Sequence, residues 1–103
     1  MKKYNIEYSK EVKEDLIRIK QYIKYNLQES EIANKLPSKI RMSIKTLKDS
    51  PEIYAIINDD IIKKLEIRKL IVDNYIIVFY RIKNDSIETA RIMYGRRNWI
   101  NLL

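Results

Sequence analysis

The 103-residue sequence predicts an α+β domain in the order β-α-α-β-β-β, an antiparallel sheet with a helix hairpin packed on one face. Three observations predict it. One short run alternates apolar and polar residues at the start. Two long runs then carry apolar residues at helical spacing. Three strand-like runs separated by tight turn signals close the chain. A chain of this length fits a single domain, residues 1–103, with one core.

The elements follow in order. In Tyr4–Tyr8, Tyr4, Ile6 and Tyr8 share one side, as in a half-buried strand. Ser9 is a helix cap, and Glu11 and Glu14 suit the positive end of the helix it opens. Val12, Leu16, Ile19, Ile23 and Leu27 form its apolar stripe. After the polar break at 28–30, Ile32, Ala33, Leu36, Ile40, Ile44 and Leu47 keep a second helical face in phase. Pro37 interrupts this face and predicts a kink or restart, and Asp49-Ser50-Pro51 ends it. So short a break joins the two helices as an antiparallel hairpin. Residues 52–63 read mostly as loop. Strands are expected over Lys64–Val72, Tyr75–Ile82 and Ser86–Tyr94, with turns at Asp73-Asn74 and at 83–85.

Composition removes several kinds of chemistry. The chain holds no cysteine and no histidine, which excludes thiol nucleophiles, imidazole acid–base groups and His/Cys zinc sites. No carboxylate loop of the calcium type occurs, so neither metal nor cofactor is expected. No run is apolar enough for a membrane span, and a cytoplasmic protein is expected. The net charge of +7 is uneven: residues 1–60 hold 12 basic and 10 acidic side chains, residues 61–103 hold 9 and 4. The basic C-terminal part favours an anionic partner.

The middle strand run is apolar on both sides: Tyr75, Ile77 and Phe79 on one, Ile76, Val78 and Tyr80 on the other. A helix hairpin covers one side. The other needs a second cover, either the chain's own tail (Trp99, Ile100, Leu102, Leu103) or a partner. Tyr75, Ile77, Phe79, Tyr80, Tyr94 and Trp99 are the candidate partner-binding residues. Arg68, Lys69, Arg81, Arg91, Arg96, Arg97 and Trp99 are the candidate anion- and target-binding residues. The only glycine, Gly95, predicts a sharp bend with positive φ that directs Arg96 and Arg97.

Three stretches carry a family resemblance: YNIEYSKEVKEDL at 4–16, EIRKLIVDNYIIVFYRI at 66–82, and ARIMYGRRNWINLL at 90–103. Together they resemble the RelE/ParE toxin superfamily of bacterial type II toxin–antitoxin modules. The last is similar to the family's His/Tyr-Gly-Arg-Arg-Asp motif, with Tyr94 where many members have His and Asn98 where many have Asp. The resemblance implies a growth-arresting toxin, as found in plasmid-stabilisation loci, neutralised by a cognate acidic antitoxin packed on its sheet and helices. It implies contact with operator DNA only through that antitoxin. The target is DNA gyrase in the ParE branch and mRNA on the ribosome in the RelE branch.

A ribonuclease would draw its catalytic groups from Lys69, Tyr94 and Arg97. Two departures weigh against that branch. Ile76 stands after Tyr75 where the RelE pattern has Arg, and the chain ends in Leu102-Leu103 without a tyrosine. The long hairpin and the Gly-Arg-Arg-aromatic tail resemble ParE more, so the expected activity is gyrase inhibition. The reading of another class is a non-catalytic basic domain that binds nucleic acid.

Overall fold

A computed structural model describes residues 4–73 and 75–95. The order is β1 (Asn5–Tyr8), α1 (Lys10–Gln21), α2 (Ser30–Lys45), β2 (Arg68–Val72), β3 (Ile76–Lys83) and β4 (Ser86–Tyr94). The strands form one sheet in the order β1-β4-β3-β2. Strands β2, β3 and β4 are the expected antiparallel meander. Strand β1 lies parallel to β4, so the sheet is mixed rather than wholly antiparallel. A parallel pair needs a long crossover, and the two helices and two further strands between β1 and β4 supply it.

The helices bury their predicted stripes on one sheet face. Val12, Ile19, Ile23, Ala33, Leu36, Ile40, Ile44 and Leu47 meet Leu70, Val72, Ile76, Val78, Tyr80, Ile87 and Ile92 in the main core. Ile32 of the second stripe is exposed, and Leu27 leaves the first and is exposed too. For Leu27 the cause is a five-residue π turn, Tyr22–Asn26, which continues α1 and shifts its phase. Pro37 sits inside α2 without ending it. Its missing N–H deprives the Ala33 carbonyl of an i+4 donor, and buried residues on both sides hold the helix in register.

One ionic contact ties the helix layer to the sheet where β1 stops. Asp15 is buried on α1, 2% exposed. Its carboxylate accepts from Arg91 Nε (2.9 Å), Arg91 Nη2 (3.0 Å), the Ile92 backbone N–H (2.9 Å) and Arg18 Nη1 (3.3 Å). β1 pairs with β4 only as far as Thr89. Beyond it the register of β4 on β3 slips, passing from Thr89–Tyr80 to Arg91–Phe79 and leaving Ala90 as a bulge. The start of α1 takes over as the neighbour of β4 at that point. The Ser9 N–H donates to the Thr89 carbonyl and the Ser9 hydroxyl to the Ala90 carbonyl, while the same hydroxyl caps α1 by accepting from Val12 N–H.

The second sheet face has its own small core. Ile67, Phe79 and Met93 are buried there, with Ile57 and Ile77 against them. The cover comes from the strap between α2 and β2. It is irregular, as predicted, and an Ile56–Arg68 bridge and an Ile57 N–H to Ile67 carbonyl bond hold it. The strand predicted from Lys64 begins only at Arg68, because residues 63–65 form a 3₁₀ turn and Glu66 is left-handed at φ 55°. On the helix side of the sheet, the Tyr80 hydroxyl donates to the Pro51 carbonyl at 2.8 Å. No helix among the described residues is long and apolar enough to cross a membrane.

Two predictions follow from these contacts. Asp15→Ala removes the carboxylate that accepts from both the Arg91 guanidinium and the Ile92 N–H. The expected loss is about 3 kcal/mol of unfolding free energy, read by urea titration. Burial pushes the Tyr80 phenol up to about 12 from 10.0. The unfolded chain therefore ionises first, and stability falls as pH rises from about 10 to 12. Tyr80→Phe is expected to flatten that alkaline limb of the denaturation midpoint while costing about 1 kcal/mol below it through the lost hydrogen bond.

Candidate partner-binding surfaces

Backbone register decides which predicted site residues meet. Lys69 lies opposite Phe79 and Ile71 opposite Ile77, on the face away from the helices. Tyr94 lies opposite Ile76 and packs on the main core, on the helix face. Lys69 and Tyr94 therefore stand on opposite sides of the sheet, three positions apart along β3, and do not converge. Burial also raises the Tyr94 phenol pKa, with Tyr22 and Tyr75 adding to the shift, so its proton is harder to remove.

Several predicted cations are engaged within the chain rather than gathered into a cationic seat. Arg91 is locked on Asp15, and that hydrogen bond, ahead of nearby carboxylates, raises its pKa. Arg81 donates to Glu88 at 2.7 Å. Arg68 turns to the helix side and donates to the carbonyls of Glu52 and Tyr54. Two predicted partner-binding residues are corrected too: Phe79 and Tyr80 are both 0% exposed. Phe79 is sealed by the strap, and Tyr80 is sealed by the helices and Pro51. Arg96, Arg97 and Trp99 lie outside the described residues.

Among the described residues, three accessible areas lie beside the predicted positions. A groove of about 400 Å³ runs between the strap and the outer edge of β2, lined by Tyr54, Ile56, Ile57, Lys69 and Ile71. Ile71 is 51% exposed there. A second groove of about 590 Å³ lies on the other side of the strap, where Glu7, Glu11, Arg81 and Glu88 meet Leu65 and Ile67. The third area is aromatic and sits at the C-terminal end of β4. The Tyr94 ring is 5.5 Å from Tyr22 and 5.6 Å from Tyr75, centroid to centroid. Tyr22 and Tyr75 remain 43% and 40% exposed.

The sequence reading missed the strap and Asp15. Asp15 was detectable by spacing, since Val12, Asp15 and Ile19 fall at i, i+3 and i+7 on the buried face. The strap carries five isoleucines between positions 53 and 62 but no period, so nothing local assigned it to the second sheet face.

Gly95 takes the predicted bend. Its φ is +80°, and its N–H donates to the Tyr75 carbonyl at 2.8 Å. An added Cβ would meet nothing within 4 Å, so only backbone strain opposes substitution. Gly95→Ala is expected to cost about 1 kcal/mol, and Gly95→Asn less, because asparagine tolerates the left-handed region. Urea titration of the two variants reads the difference.

Comparisons with known proteins agree with this architecture. The family model described as ParE toxin of type II toxin-antitoxin system, parDE, matches residues 6–99. Among solved structures, a chain from the chromosomal ParDE TA system of P. aeruginosa superposes with a TM-score of 0.73 at 19% sequence identity. The alignment covers 90% of this chain and 97% of that one, and it establishes a shared fold. No curated protein matches in sequence. With nine-tenths of its length inside the family's span, the chain belongs to the ParE toxin family of type II toxin–antitoxin systems.

Proposed function

We propose that this chain arrests growth by inhibiting DNA gyrase and that a cognate acidic antitoxin neutralises it. The observation that carries the choice of target is the separation of Lys69 from Tyr94 across the sheet. RNA cleavage needs a base, an acid and cations around one phosphate. Those two candidates cannot share one phosphate without dismantling β2–β4. Inhibition of a large enzyme needs only a complementary surface, for which the exposed Tyr22 and Tyr75 are candidates.

The antitoxin is assigned to the apolar groove along β2. Ile71, Tyr54 and Ile56 offer apolar contacts there, and Lys69 offers a partner for a carboxylate. The edge of β2 beyond the strap offers strand pairing. Tyr75, Ile77, Tyr94 and Trp99 remain candidate contacts. The module operates in the cytoplasm, and operator DNA is reached only through the antitoxin.

Expression of the chain alone is expected to stop growth, and co-expression of the neighbouring acidic reading frame to restore it. In purified assays, supercoiling by gyrase is expected to stop while ribosome-bound mRNA stays intact. Continued supercoiling together with ribosome-dependent cuts would overturn the assignment. Replacing Arg96 and Arg97 with alanine is expected to raise the half-inhibitory concentration at least tenfold at unchanged thermal stability. Equal inhibition would move the target contact elsewhere.

A further inference from the structure

The groove of about 590 Å³ beside the strap takes no part in the contacts assigned above. It is lined by β1, the first turn of α1, β3 and β4, and by Leu65 and Ile67 from the strap side. Leu65 is 42% exposed and Ile67 is buried, so the groove carries an apolar strip. Its charge runs against the rest of the chain. Glu7, Glu11 and Glu88 set three carboxylates against the one guanidinium of Arg81, a balance of −2 on a chain of +7.

Strand register shows how the imbalance is built. Glu7 lies opposite Glu88 across the parallel β1–β4 pair, and Glu88 lies opposite Arg81 across β4–β3. The three side chains form one row on the sheet face away from the helices. Arg81 is committed to Glu88 at 2.7 Å. Among the described residues, Glu7 receives only the Ser86 hydroxyl at 3.5 Å, the outer limit of a hydrogen bond. Like charges directly opposite each other destabilise a sheet. Glu11 has a local reason for its place, since a carboxylate suits the start of α1. Glu7 opposite Glu88 has no such reason. One more cation at the Glu7 end of the row would balance it.

The side chains that fit are arginine and lysine. Each can lay an aliphatic stem along Leu65 and Ile67 while its charged head stays among the carboxylates. Arginine fits better, because its planar fork can meet two carboxylate oxygens at once. This groove and the one along β2 flank the same strap on the same sheet face. A segment seated along β2 that continues over the strap arrives here. A basic side chain is favoured in this groove and disfavoured over most of a chain of +7, so it would fix the segment's register.

We propose that this groove receives an arginine or lysine side chain of the antitoxin, with its head between Glu7, Glu11 and Glu88. The source of the side chain rests on the antitoxin reading. The groove's preference for a cation does not.

The test has two arms. In the first, NMR spectra of the full chain are followed during titration with N-acetyl-arginine amide, and with N-acetyl-citrulline amide as its uncharged match. The arginine compound is expected to shift the signals of Leu65, Ile67 and Ala90, and the citrulline compound to leave them in place. The double variant Glu7→Gln, Glu11→Gln is expected to weaken that binding about tenfold. Glu7→Gln alone is expected to leave the urea midpoint unchanged or raise it, because it relieves repulsion, whereas loss of a merely structural contact would lower it. No shift with the arginine compound, equal shifts with citrulline, or a double variant that binds like wild type would overturn the proposal. In the second arm, the double variant is expected to bind the neighbouring acidic gene product about tenfold more weakly than wild type does, with the gap narrowing as salt rises. Equal affinity would overturn the antitoxin as the occupant. A gene product that binds neither form would sink the antitoxin reading itself, and the arginine titration would still decide what the groove takes.

Discussion

The whole fold turns on how strand β4 is bordered once β1 has ended. β1 is four residues long and β4 is nine. More than half of that side of β4 would otherwise present open backbone groups. Beyond Thr89 the chain uses a helix instead of a strand. Ser9 takes the Ala90 carbonyl, and the Asp15 carboxylate takes the Ile92 N–H and the Arg91 guanidinium. A buried carboxylate is costly unless it is both paired and hydrogen-bonded. Here it is both, so α1 has one permitted position on the sheet. α2 follows through the short hairpin, and the main core closes between them.

The same contact shapes the partner surfaces. By holding β4 at the bulge, it positions the strand's end, where Tyr94 meets Tyr22 and Tyr75 and Gly95 takes a left-handed φ. It also removes Arg91 from the pool of available cations. Much of the positive character of the folded middle of the protein is thereby engaged: Arg91 on Asp15, Arg81 on Glu88, Arg68 on backbone carbonyls. Lys69 lines the groove along β2 that is assigned to the antitoxin.

The second sheet face is neither bare nor fully sealed. A strap with little regular structure buries Phe79 and Met93 and leaves grooves on its two sides. The apolar groove borders the edge strand β2, and the other is lined by carboxylates. A partner that crosses this face meets two chemically different halves separated by Ile57 and Ile67. Such a division lets one surface recognise a segment by both shape and charge.

The sequence by itself determined the element order, the apolar stripes of both helices, the meander and the left-handed bend at Gly95. Each of these follows from spacing within one segment or from a single residue's steric freedom, and neither needs a distant partner. It also carried the family, through three short stretches read together. Only the tertiary structure decided the direction of β1, the covering of Phe79 by the strap, the burial of Tyr80 under Pro51, and the engagement of Arg81 and Arg91. These contacts join residues far apart in the chain: Asn5 pairs with Ser86, and Arg91 bonds Asp15 from 76 positions away. A residue type states what a side chain can bind, but which partner it binds depends on where the rest of the chain has been carried. The arginines illustrate the difference: alike in type, Arg68, Arg81 and Arg91 each bind whichever carbonyl or carboxylate another element has placed beside them.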